Sequence, residues 1–297
     1  MDNKRNSIGE KISGIFKKAS NSINPLFGRN TLADFGNLSD EKVQGNILIS
    51  SFLMRTGQSA ILLYKTLSMM FTAKTDKGDN VKMAYRFTNG SLVFVVTAMA
   101  FVGMIMVYQS TEQLSRSVGD TSLVGASFLK LLVRVLGPTV IGLMIACRVG
   151  AGIAAEIAAM AVTEQLDAQR MCAADPVEVL MVPRLRGAVI AAFSLTVIGS
   201  GAAVFSGMLT GLVWFNMPPS TYFNFSLVTI TDLIQGLVKA FAYGVAVPIV
   251  SGAWGLSAFG GARGVGEATT GAVVGSSFVI VVLDSLISLM AYLLERL

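Results

Sequence analysis

Four ionisable side chains stand inside long apolar runs of this chain: Arg134, Asp232, Lys239 and Asp284, with Lys130 one turn ahead of Arg134. A charge at mid-membrane depth costs roughly 2.5–3.5 kcal/mol on insertion scales, so each must face protein or water. Lys239 and Asp284 lie deep in their runs and are opposite in sign. That suits either a buried pair that orients helices or a direct part in moving a solute. Asp232 stands nearer the end of its run, where a charge is cheaper. Catalysis finds fewer tools. With no histidine, the usual Ser–His–Asp triad and the commonest metal ligand are both missing, so no catalytic residue and no metal site is expected. Nor is there a G-x-x-x-x-G-K-[ST] loop to cradle ATP phosphates. Gly260 to Gly266 lacks the Lys-Ser/Thr ending, and Gly150 to Ala155 reads as close helix packing. Cys147 and Cys172 form no spacing motif.

A second concentration of charge falls between two apolar runs. From Arg148 to Arg170 the chain is rich in Ala and Gly yet carries Glu156, Glu164, Gln165 and Asp167, with Met160, Val162 and Leu166 as apolar anchors. A polar, acidic helix held between two spans is suited to being presented to a soluble partner.

The elements that must position these groups are membrane helices. A hydrophobic share of 53% against 14% charged residues, with mean hydropathy +0.64, lies outside the soluble range. The expected fold is all-α and membrane-integral, with five spans at about 90–110, 122–147, 187–213, 226–252 and 272–294, each long enough for ~30 Å of hydrocarbon. Residues 47–71 carry a polar stripe through Ser51, Arg55, Gln58, Lys65 and Ser68. They are expected to form an amphipathic helix in the interface, the alternative being a tilted sixth span with Arg55 buried. Residues 1–45 form a basic extension, either a weak amphipathic helix through Ile8, Ile12, Ile15 and Phe16 or a basic tail; no cleaved signal peptide is expected. The permease domain proper is residues 46–297. Gly137 and Pro138 should kink the second span. The pairs Gly207/Gly211 and Gly271/Gly275 allow close helix approach. Lys and Arg gather before the first span, between the second and third, and before the fifth. Positive-inside then places the N-terminus in the cytoplasm.

The wording of Arg148 to Arg170, continued in Ala174, Asp175 and Pro176, in Val182, Pro183 and Arg184, and again from Ser251 to Asp284, closely resembles the MlaE-type permeases. These are the membrane subunits of ABC transporters that work with MCE proteins to move phospholipids between bacterial membranes. The resemblance covers roughly residues 45 to 295. It implies a helix between the second and third spans that couples to an ATPase, through Glu156, Thr163, Glu164, Gln165 and Asp167. It implies an outward-facing lipid cavity lined by Met106, Leu114, Val135 and Leu136, and intramembrane charges at Arg134, Lys239 and Asp284. The family carries an acid directly before its Leu-Gly-Pro; Val135 stands there in this chain, which puts in doubt any mechanism relying on that acid. The implied partners are a second copy of the chain, a cytosolic ABC ATPase that binds the ATP and magnesium, an MCE-domain protein and a small cytosolic accessory subunit. Phospholipid is the implied substrate and the bacterial inner membrane the implied location, where the complex would maintain outer-membrane lipid asymmetry. No cofactor in the chain itself and no nucleic acid are implied. A stand-alone ion-coupled carrier built on Lys239 and Asp284 is the alternative, but inverted repeats, which would favour it, are absent from the sequence. A membrane scaffold without transport is a third reading.

Overall fold

A computed structural model describes residues 77–117, 124–172, 177–224 and 226–296. The basic extension and the stripe at 47–71 lie outside the described residues. The elements are helical throughout this part. Helix α1 covers Lys77–Ser117. The second rod begins with α2 (Val124–Leu131), passes through a π-helical turn at Leu132–Leu136, and continues as α3 (Gly137–Ile145). A second π-helical turn at Ala146–Gly150 leads into α4 (Ala151–Val162). After the short α5 (Gln165–Met171), a third π-helical turn at Val177–Met181 opens α6 (Val182–Phe215). Then come α7 (Pro219–Tyr222), α8 (Ile230–Leu256) and α9 (Ala262–Arg296).

Among the described residues, five stretches are long and apolar enough to cross a membrane: Asn80–Leu114, Val124–Val162, Val179–Phe215, Ile230–Leu256 and Ala262–Leu294. They match the five expected spans; four are longer, the fourth keeps its length but is shifted along the chain, and the second overruns its expected end the furthest. The expectation ended that span near residue 147; the helical rod runs on to Val162 and takes in most of the Arg148–Arg170 segment. The reason is packing. Ile153, Ala154, Ile157 and Ala158 are fully buried, where α4 lies against α8 and α9. Small side chains there let three helices approach closely, the usual solution where hydrocarbon supplies no hydrophobic drive for association.

The ends of the helices are set by local chemistry. Thr229 and Asp232 form a capping box on α8, the Asp232 carboxylate accepting the Thr229 N–H at 3.0 Å. At the far end of α6, Asn216 adopts the left-handed conformation (φ 49°). The Met217 N–H then returns to Gly211 O at 3.1 Å, a cap that Asn tolerates better than most residues. At Gly137–Pro138, where a kink is expected, the chain makes the first π-helical turn. Gly137 N–H reaches back five residues to Leu132 O, and Pro138 enters the first turn of α3, where its missing donor is harmless.

Packing ranks the spans. Helix α1 runs along α6, while α8 touches α6, α9, α4 and α3. In the most apolar window of the fourth span 67% is buried, against 6% in the fifth. Helix α8 is therefore the axis of the bundle. The outward faces carry Phe94, Phe101, Phe205, Trp214, Phe278 and Leu286, as hydrocarbon requires. Both glycine pairs work inside the chain. A Cβ at Gly207 would meet Val107 of α1 and the Tyr222 hydroxyl, and Gly271 and Gly275 lie against the Trp254 indole of α8.

Candidate functional site

Three sites emerge, strung from one end of the bundle toward the other. At one end, the chain leaves α4 through Thr163 and Glu164. Thr163 Oγ1 donates to Ala159 O at 2.8 Å, which closes α4. Glu164 then takes the left-handed conformation with φ 61°. A non-glycine residue there costs roughly 1–2 kcal/mol. The Glu164 carbonyl accepts the N–H groups of Asp167 and Ala168, each at 3.1 Å, so the strained residue starts α5. Leu166 is buried while Thr163, Glu164, Gln165 and Asp167 are exposed. This acidic turn is thus held at the tip of a rigid, buried helix and pinned by one leucine.

Glu156 lies two turns back and is differently placed. Its Oε1 meets Arg86 Nη2 of α1 at 2.6 Å, and its Oε2 meets Arg184 Nη2 of α6 at 3.2 Å. Arg184 is buried, and its Nη1 donates to Leu180 O at 2.8 Å, fastening the third π-helical turn. The carboxylate grouped with the exposed turn on sequence thus ties three spans together. Arg86, 70 residues upstream, was not foreseen as a partner.

The third site is the polar face of α8. Asp232 is buried; its Oδ1 accepts from Arg134 Nη1 at 3.2 Å while Oδ2 serves the capping box. It stands in the first turn of α8, near the end of its span, where a cation and the helix cap both satisfy it. Two turns deeper, Lys239 is fully buried and its Nζ lies 2.7 Å from Asp284 Oδ1. Thr139 Oγ1 and Tyr243 Oη donate to that same oxygen, each at 2.8 Å. Lys239 and Asp284 are the pair their opposite signs suggested. Thr139 and Tyr243 were missed, although a tyrosine one turn after a buried lysine was the available signal. Gly142 of α3 makes room for the ring: a Cβ there would stand 2.7 Å from Tyr243 Cδ2.

The four positions implied to line a lipid cavity are half-buried. Met106 and Leu114 lie in the C-terminal part of α1, and Val135 and Leu136 on the first π-helical turn. All four belong to the half of the bundle away from the Glu164 turn. Met106, Leu114 and Leu136 pack against the core; Val135 follows Arg134, so the acid of the family pattern is replaced by a neutral side chain beside an ion pair.

A bundle of five apolar spans with a buried polar axis and an exposed acidic turn at one end has the build of a transport subunit. Residues 81–290 match the family described as Permease MlaE. A probable ABC transporter permease protein of Rickettsia typhi is 40% identical over 200 residues, covering 67% of this chain and 77% of that protein. One from Synechocystis is 36% identical over 204 residues, covering 67% and 76%. One from Pyropia yezoensis is 26% identical over 244 residues, covering 82% and 92%. The chain belongs to the MlaE permease family. It is the permease subunit of an ABC transporter, a transport component and not an enzyme, whose working partner is an ATPase.

Proposed function

We propose that this permease moves phospholipids between membranes, in service of outer-membrane lipid asymmetry, as one of two identical subunits driven by a cytosolic ATPase and joined to an MCE-domain protein. The family's known substrate class supports the lipid. Five spans are too few to enclose one, which favours a dimer with a cavity shared between subunits and lined by Met106, Leu114, Val135 and Leu136. A small cytosolic accessory subunit belongs to the same expectation. Arg148, Arg170, Arg184, Arg186 and Arg263 cluster toward the end that bears the Glu164 turn, whereas Trp214 to Phe225 carries none. This supports a cytoplasmic placement of that end, with the N-terminus, in a bacterial inner membrane.

The observation that carries the coupling assignment is the turn at Thr163 and Glu164: exposed, acidic, and rigidly mounted on a helix that packs against α8 and α9. Such a turn can seat in a groove of an ATPase and pass its movement to the axis of the bundle. Family membership favours this reading over the stand-alone carrier. Reconstitution tests it directly. Labelled phospholipid should move between donor and acceptor vesicles only with ATP and the ATPase present. Changing Glu164 and Asp167 together to lysine should abolish co-purification of the ATPase while the permease stays folded. Retained co-purification would refute the coupling role, and ATP-independent transfer would refute the transport reading.

A further inference from the structure

Between the two ion pairs of α8 stands Gln235, 5% exposed, and neither its Oε1 nor its Nε2 meets a hydrogen-bond partner among the described residues. One turn on, the fully buried Lys239 ammonium gives one donor to Asp284 Oδ1 at 2.7 Å and has two more to place. Residues four apart share a helix face with Cβ atoms about 5–6 Å apart, the span that one bridging molecule with two hydrogen bonds covers. A third group comes from the neighbouring helix. Gly137 N–H is taken by Leu132 O, and Pro138 has no N–H. The Val133 carbonyl therefore lacks the donors that an α- or π-helical register would give it. That carbonyl lies against α8 at Gly236, the residue that follows Gln235: a Cβ on Gly236 would be 2.6 Å from Val133 O.

We propose that Gln235, Lys239 and the Val133 carbonyl form a buried site for water, which joins the Arg134–Asp232 and Lys239–Asp284 pairs into one hydrogen-bonded track about 10 Å long on the face of α8. Buried polar groups go unpaired rarely, and a site for water needs two to four polar partners. This one supplies three. The formal charges of Arg134, Asp232, Lys239 and Asp284 cancel, so an ion bound here would stand uncompensated, whereas a water both donates and accepts. The first π-helical turn exposes the carbonyl, and Gln235 completes the cage.

The test is the sign of a stability change. Gln235→Leu, nearly equal in volume, removes the amide. A hydrated amide predicts a fall in Tm of roughly 3 °C or more for the full-length permease in its complex, since water, ammonium and carbonyl lose a partner. An amide that truly lacks partners predicts a rise, and a rise or no change overturns the site. The same melts are run in sodium chloride and in N-methylglucamine gluconate. A salt-dependent Tm in the native protein that is lost in Gln235→Leu would mean a bound sodium or chloride ion, and would also overturn the assignment. Should Gln235→Leu fail to fold, a high-resolution map of the native complex decides: density within hydrogen-bond reach of Gln235 and Lys239 sustains the site, and its absence refutes it.

Discussion

Near the Glu164 turn, Glu156 sits between Arg86 and Arg184; deep in the bundle, Asp284 sits among Lys239, Thr139 and Tyr243. Both centres are single carboxylates gripped from several helices, but the surroundings differ. The Arg86 side chain is 63% exposed, so water can take its place at little cost, and the cluster as a whole is cationic. The Lys239 side chain is fully buried, and its carboxylate partner gathers three donors on one oxygen. The first arrangement ties helices where they emerge from the packed region and can be loosened one arm at a time. The second holds together only if every partner is kept, because an orphaned charge in low dielectric has nowhere to turn.

The largest effect should come from breaking the second centre. Lys239→Met alone is expected to destabilise by about 3–5 kcal/mol, read as a fall in Tm of the purified permease. Lys239→Met with Asp284→Leu should lose less than the two single changes added together; strict additivity would show that the two do not act as a pair. At the first centre, Glu156→Gln keeps the shape but withdraws the charge from buried Arg184, for an expected loss of about 2 kcal/mol. Arg86→Ala sharpens the contrast, since a mostly exposed arm should contribute less than about 1 kcal/mol. A loss as large as that of Glu156→Gln would erase the distinction between the two centres. The smallest change has the opposite sign. Glu164→Gly relieves the left-handed backbone and should raise stability by ~1 kcal/mol, while ATP-driven transfer falls because the acidic contact is gone.

How much of this could be read in advance follows from the range of each interaction. The spans were legible because hydropathy is local, and Lys239 with Asp284 because two isolated opposite charges deep in apolar helices have few other places to go. The continuation of the second rod to Val162 was hidden by its own composition. Alanine and glycine give a weak hydropathy signal, and Arg148 and Glu156 read as solvent-facing when one of them is clamped inside. Arg86 and Arg184 reach Glu156 from two other spans, and nothing in a single sequence states which helices will be neighbours. Thr139 and Tyr243 were ordinary residues until the π-helical turn before Pro138 and the missing side chain at Gly142 set their positions.

The π-helical turns also change how positions along the second rod can be compared. Each holds a five-residue repeat where an α-turn would close on four, and one surplus residue displaces the following face by about 100°. The rod carries two such turns, at Leu132–Leu136 and Ala146–Gly150, so its phase slips twice between α2 and α4. Deleting one residue from the second turn, which no proline follows, would leave a continuous α-helix and no lost backbone bond, yet it would swing Ile153 and Ile157 away from α8 and α9 and rotate the Glu164 turn with them. The orientation of the acidic turn is thus stored as a residue count in the membrane-spanning part of the rod, remote from the turn itself.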